Sequence, residues 1–243
     1  EQLHQLLEQS YSNPSSPHSG AQIPRKVIAE ARDKVASLLG ASPENVVFTS
    51  SGSEANAIVF SSVGWHAPQT SRDTVLISSI EHASVFEWIE RLERQGFHVR
   101  LLPVTQDGRV DTDKLRELLS NRVYLVSTQW VNNETGVIQP VEEIADIVHE
   151  VGAFCHVDGA QALGRVPMHL SASSCDFVSF TGHKIHAPKG VGLLYARSWN
   201  ALETLVPGGE QEQGMRAGTE NLLGICGLGS AAALREREFN ESL

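Results

Sequence analysis

Lys184 stands in the stretch SFTGHKIHAPKGVGLLYAR, residues 179–197, between the apolar runs DFVSF and GVGLLYA. Both runs read as strands, so the lysine falls in a short loop with His183, Pro188 and Lys189. A loop lysine is ordinarily a solvated charge. An amine held where two core strands meet can instead be desolvated and bond covalently to a carbonyl carbon. A second chemical group is Asp158, at the end of AFCHVD and followed one turn later by Gln161. Strand alternation puts Phe154, His156 and Asp158 on one face, and Cys155 and Val157 on the other. A carboxylate in that apolar setting needs a partner to stay ionised. A cationic nitrogen heterocycle would supply one; capping of the next turn is the plainer alternative. A third group is SSGSEAN, residues 50–56, where a strand leads through small residues into a helix. Free N–H groups and hydroxyls there suit an anion, although a helix cap by Ser53 explains the same residues. No GK[ST] follows, which excludes a Walker loop.

These groups need a frame, and the sequence describes one. Pro24 opens a helix with Val27, Ile28, Ala31, Val35, Leu38 and Leu39 at helical spacing, closed by Gly40. Strand patterns follow at 46–49, 74–78, 98–104, 122–129, 153–158, 176–180 and 191–196. Helical patterns lie between them: from about Ser53, then at 83–95, 111–120 and 140–152, with a last one at 221–238. The alternation predicts an α/β fold with a mostly parallel sheet covered by helices on both faces. Ligands of such sheets gather at the carboxyl ends of strands. Ser50–Glu54, Glu81–His82, Asn132–Glu134, Asp158–Gln161 and Thr181–Lys184 all fall there.

Composition narrows the classes of function. The 243 residues suit one large domain or two small ones, and 41% hydrophobic content supports a sizeable core. A formal net charge of -10 without a basic stretch argues against nucleic acid. No apolar run approaches a membrane span, and the opening EQLHQLLEQS lacks the layout of a signal peptide. Cys155, Cys175 and Cys226 are widely spaced and form no CxxC pair, so neither a zinc site nor a disulfide framework is supported. A cytoplasmic location is the expectation.

An anion cradle, a buried carboxylate, a strand-end His82 and a lysine between strands together suit pyridoxal 5'-phosphate. Its phosphate needs donors, its pyridine nitrogen an acidic partner, and its aldehyde a lysine for the Schiff base. The motifs NPSSPHSG, FTSSGSEAN, SSIEHASV, VNNETGVIQPVEEIA, HVDGAQALGRVPM, SFTGHKIHAPKGVGLLYAR and GGEQEQGMRAGTEN occur in that order over nearly the whole chain. In them the sequence resembles the cysteine desulfurase family of class V aminotransferase fold, including its selenocysteine lyase relatives.

The resemblance implies a PLP-transferase (fold type I) large domain over 1–243, pyridoxal 5'-phosphate, and a homodimer. It implies cysteine or selenocysteine as substrate and sulfur-acceptor proteins as partners, in iron–sulfur cluster or thio-cofactor synthesis. It makes Lys184 the Schiff-base lysine and Asp158 the partner of the pyridine nitrogen. Gln161 would bond the phenolic oxygen, His82 stack on the ring, and Asn133 help place substrate and cofactor. Ser53, Thr181, His183 and the backbone at Gly52 would hold the phosphate, and Thr219 would reach the phosphate of the neighbouring subunit. Lys184 and His82 are the expected catalytic pair.

Some family features have no counterpart here. The opening asparagine–alanine–threonine strand is missing, as is the smaller C-terminal domain with its carboxylate-binding arginine and cysteine-bearing loop. None of the three cysteines matches that loop; ordinary burial is the expectation for each. KIHAPKG also departs from the family's usual KIYGPKG at His186 and Ala187. Residues 1–243 alone are therefore expected to hold the cofactor but to turn over little cysteine. The alternatives are a direct C–S lyase or a catalytically incomplete scaffold.

Overall fold

The computed structural model describes Leu6 and residues 12–241. Apart from Leu6, the opening EQLHQLLEQS lies outside them. The strands are β1 (Val46–Thr49), β2 (Thr74–Ser78), β3 (His98–Leu102), β4 (Val123–Gln129), β5 (Phe154–Asp158), β6 (Phe177–Thr181) and β7 (Gly192–Ala196). They form one seven-stranded sheet in the order β1-β7-β6-β5-β4-β2-β3. Only β7 is reversed, antiparallel to both β1 and β6; the other pairings are parallel. The carboxyl ends of the remaining strands therefore share one edge of the sheet, and β7 begins at that same edge.

The helices are α1 (Gln22–Leu39), α2 (Gly52–His66), α3 (Ala83–Phe86), α4 (Trp88–Arg94), α5 (Thr112–Leu118), α6 (Val141–His149) and α7 (Leu222–Glu241). Alternating strand residues feed two apolar clusters. Val126, Cys155, Val157 and Leu193 pack with Leu39, Val148 and Leu228 of α1, α6 and α7. On the other face Leu125, Phe177 and Leu194 pack with Ile58, Val59 and Phe60 of α2. The central strands are buried on both faces, as a helix-covered parallel sheet requires. Their period-2 alternation appears in which cluster each residue joins.

Most predicted elements are present with adjusted ends. Pro24 lies in the first turn of α1, where its missing N–H costs no helical bond. Gly40 ends α1 with φ 58, its N–H bonding back to Ala36 and Ser37. The helix expected at 83–95 is broken at Glu87. Glu87 keeps right-handed helical dihedrals at φ -63 and ψ -13, and Phe86 and Trp88 on either side of it both pack against the second cluster. The strand expected at 98–104 ends at Leu102, with Val104 making one isolated bridge to Val110. Asp111 stands outside α5 as its cap, accepting from Lys114 N–H at 3.0 Å. Among the described residues, no helix is long and apolar enough to cross a membrane.

Two features of the interior fix the edge of the sheet. His156 is fully buried, with its ring nitrogens 2.9 and 3.0 Å from the hydroxyls of Ser127 and Ser179. Burial pushes its pKa down to about 3, so it is neutral beneath Asp158. Gly192, where β7 starts, lets the turn before α2 come close. A Cβ there would lie 2.5 Å from Ser51 C, 2.7 Å from Phe180 O and 2.8 Å from Gly52 N. These are backbone atoms and cannot swing away. Gly192→Ala is expected to destabilise the fold by about 1–3 kcal/mol; urea unfolding checks this, and an unchanged midpoint would contradict the tight approach.

Candidate active site

A cavity of about 230 Å³ opens where the strand ends converge. Gly52, Ser53, His82, Asn133, Asp158, Gln161, Thr181, His183 and Lys184 all line it. Residues from five separate chain segments thus meet at one point. Thr219 is not among them; it lines an adjoining cavity that shares Ser50 and Gly190 with the first. Its hydroxyl accepts from Asn13 Nδ2 at 3.3 Å, tying it to the NPSSPHSG segment.

At one end of the cavity the N-terminus of α2 presents its first N–H groups. The cap is Ser51, not Ser53: Ser51 Oγ accepts from Glu54 N–H at 3.1 Å. Glu54 Oε2 in turn accepts from Ser50 N–H at 2.6 Å, close to a capping box. The Ser53 hydroxyl, on the exposed side of the turn, is left to the cavity. Thr181 Oγ1 and His183 Nδ1 lie 3.0 Å apart on the same wall. Burial, then the charges of Lys184 and Lys189, lowers the His183 pKa and favours the neutral ring. A neutral imidazole, two hydroxyls and helix N–H groups form a donor set suited to a phosphate.

Asp158 is 7% exposed. Its Oδ1 accepts from Ala160 N–H at 3.0 Å, and its Oδ2 accepts from Asn56 Nδ2 at 3.0 Å. Asn56 Nδ2 also donates to Ser84 Oγ at 2.9 Å, and Ser84 Oγ lies 2.8 Å from His82 Nδ1. A chain of side chains therefore runs from Asp158 to His82. His82 caps α3, its Nδ1 accepting from Ser84 N–H at 3.1 Å. A ring nitrogen that accepts from a backbone N–H carries no proton, so the neutral ring holds its proton on Nε2.

Lys184 sits in a 3-10 turn, Gly182–Ile185, that His186 closes in a left-handed conformation at φ 68. Arg165 Nη2 donates to Lys184 O at 2.9 Å, while Arg165 Nη1 donates to Gln161 Oε1 at 2.6 Å. One guanidinium thus sets both residues, and with Gln161 Oε1 engaged, its Nε2 is the group able to donate into the cavity. In the NNETG stretch the two asparagines divide their tasks. Asn132 is buried and its Oδ1 accepts from Glu134 and Thr135 N–H, while Asn133 is exposed to the cavity.

Sequence reasoning missed Asn56, Ser84 and Arg165, which act through other side chains. Asn56 lies inside the SSGSEAN stretch, but nothing local links it to a residue 102 positions away. Reasoning also passed over Glu81, beyond noting that it follows a strand. Glu81 is 7% exposed, and its Oε1 accepts from Gln129 N–H at 2.6 Å. Burial first, and then the charge of Asp158, pushes its pKa well above the usual carboxylate range. The raised pKa favours the protonated form of Glu81 beside Asp158.

A family profile, aminotransferase class-V, matches residues 1–242. The chain belongs to the class-V aminotransferase family. It is 44% identical over 231 residues to a cysteine desulfurase of Cereibacter sphaeroides, spanning 94% of this chain and 59% of that protein. It is 37% identical over 243 residues to the cysteine desulfurase IscS of Dictyoglomus turgidum, spanning 100% and 61%. Among solved structures, a NifS-like protein superposes with a TM-score of 0.94 at 35% identity, over 98% of this chain and 66% of that one. SspA in complex with cysteine superposes with a TM-score of 0.90 at 31% identity, over 98% and 71%. The chain thus spans somewhat over half the length of its curated relatives.

Glu81 gives this site a pH signature. Its raised folded-state pKa makes stability greatest below the unfolded value near 4.5, and lost as pH rises through the folded value. Glu81→Gln keeps the acceptor for Gln129 N–H and removes the titration. The variant is expected to gain stability over the parent as pH rises above the unfolded value near 4.5 and to gain little below it. Urea unfolding across that range is the check; parallel profiles for the two proteins would contradict a protonated Glu81.

Proposed function

We propose that this chain is the cofactor-binding large domain, residues 1–243, of a pyridoxal 5'-phosphate-dependent cysteine desulfurase. The observation that carries the reading is one cavity joining a lysine, a buried carboxyl group and an anion cradle, in a chain 44% identical to a cysteine desulfurase. The donor set fits the cofactor at each end. The N–H of Gly52, the hydroxyls of Ser53 and Thr181, and His183 would hold the phosphate. Asp158 would keep the pyridine nitrogen protonated, Gln161 Nε2 would donate to the phenolic oxygen, and His82 would lie against the ring. Lys184 would hold the aldehyde carbon covalently. When bound, the group supplies an electron sink that weakens the bonds at the substrate's α and β carbons.

This chain's residues then have defined tasks. Asn133 orients the incoming amino acid. Lys184 Nζ would also be placed to take and return protons at the substrate carbons. Asp158, held by Asn56 Nδ2 and the Ala160 N–H, would pair with the ring nitrogen and favour its protonated form. Cysteine loses its sulfur to a thiolate and leaves as alanine. Cys155 is a poor candidate for that thiolate, because its contact with Cys175 and its burial hold its pKa well above the ordinary thiol value. Burial also raises that of Cys226, and none of the three cysteines lines the cavity. The sulfur acceptor is therefore a thiol outside this set. The family resemblance further supports a homodimer, with Thr219 turned to the neighbouring subunit's phosphate, in the cytoplasm.

Incubation with pyridoxal 5'-phosphate is expected to give a yellow protein that borohydride labels at Lys184. Lys184→Ala should lose both colour and label; a folded parent chain that stays colourless and unlabelled would refute the cofactor assignment. Asp158→Asn should still form the covalent bond but lower desulfurase kcat in the full-length protein by about 100-fold or more, of the order seen when one electrostatic partner is removed from an active site. Alanine release from cysteine measures it, and near-normal turnover would remove Asp158 from the pyridine nitrogen.

A further inference from the structure

Glu54 poses an electrostatic problem for the proposed phosphate cradle. It stands in the first turn of α2, directly after the cradle residues Gly52 and Ser53. A carboxylate there favours the bare helix N-terminus but repels a phosphate dianion bound at the same end. Its negative charge is secure. Burial alone would raise the Glu54 pKa, but the bonds to Ser50 and the Arg216 guanidinium outweigh burial and hold it below the usual value.

Arg216 is the counter-charge. Its Nε donates to Glu54 Oε1 at 3.0 Å, with both side chains largely shielded at 24% and 13% exposure. Glu54 Oε2 meanwhile accepts from Ser50 N–H, so one carboxylate joins the arginine to the turn that forms the cradle. Arg216 belongs to the loop 207–221, which also carries Thr219. That loop is fastened at a second point: Glu212 receives both terminal nitrogens of Arg32, at 2.9 and 2.7 Å, and Phe48 N–H at 2.7 Å. Glu212 and Gln213 hold left-handed backbone conformations, with φ 48 and 62, uncommon for residues other than glycine. A chain held in that conformation by a buried ion pair delivers Arg216 to a fixed place.

We propose that Arg216 is a positioning residue for cofactor binding, resting on the cofactor reading above. It neutralises Glu54 so that the α2 cradle accepts a phosphate dianion, and it makes phosphate affinity depend on the seating of the 207–221 loop. The role is one of charge and is specific to the phosphate, because Arg216 touches none of the residues assigned to the ring.

The test is a titration of the apo chain with pyridoxal 5'-phosphate and, separately, with pyridoxal, which lacks the phosphate. Arg216→Ala is expected to raise the Kd for the phosphorylated compound about tenfold or more, and that for pyridoxal less than about twofold. Glu54→Gln, which keeps an acceptor for Ser50 N–H, should tighten the phosphorylated compound. The double variant should return to within about threefold of the parent, as a charge-coupling cycle requires. Equal weakening of both compounds in Arg216→Ala, a Glu54→Gln variant that binds the phosphate more weakly, or a double variant as weak as Arg216→Ala would each overturn the proposal. A parent chain that binds neither compound overturns the cofactor reading itself.

Discussion

A carboxylate buried at the end of a core strand needs hydrogen-bond donors, and much of the site can be understood as support for Asp158. Each oxygen of Asp158 has a donor: the Ala160 N–H on one and Asn56 Nδ2 on the other. The groups around it avoid competing. His156, two residues back on the same strand face, is neutral between two serines. Glu81, the nearby acid, takes up a proton instead of a second negative charge. With His156 and Glu81 neutral, Asp158 faces the cavity without a competing acid, and Lys184 lines the same cavity.

The reversed strand explains how distant segments come within reach. If β7 ran with the others, the β6–β7 connection would cross the sheet, and Lys184 would have no short loop to occupy. Because β7 turns back, the lysine turn lies at the same edge as the ends of β1, β4, β5 and β6. Gly192 then allows the turn before α2 to rest almost on the β6–β7 pair. The anion end and the amine end of the cavity are thus set by the same backbone contact.

Much of this was legible beforehand, for physical reasons. Strands buried on both faces read as apolar runs, and their ends read as abrupt polar clusters, so Asp158, His82 and the Lys184 turn could be located from the sequence. The alternation across AFCHVD correctly separated His156 and Asp158 from Cys155 and Val157, which feed the opposite cluster. What was not legible depends on three dimensions. The cap of α2 fell on Ser51 because Glu54 sits three residues after it, a spacing visible in the sequence but masked by three serines in four positions. Asn56, Ser84 and Arg165 have no signature of their own, since each matters only through a partner that the fold brings near. The interruption at Glu87 has no local signal either, since the residue is an ordinary helix former and keeps helical dihedrals.

His82 has one further property. Its Nδ1 is occupied by the backbone of the helix that it starts. The ring nitrogen left for the cavity is Nε2, which can serve there as a hydrogen-bond donor. A second proton on the ring would have to enter at Nδ1, and it would displace Ser84 N–H and open the first turn of α3. The same imidazole both starts the short helix and faces the cavity, so the ring's orientation and the first turn of α3 depend on one contact.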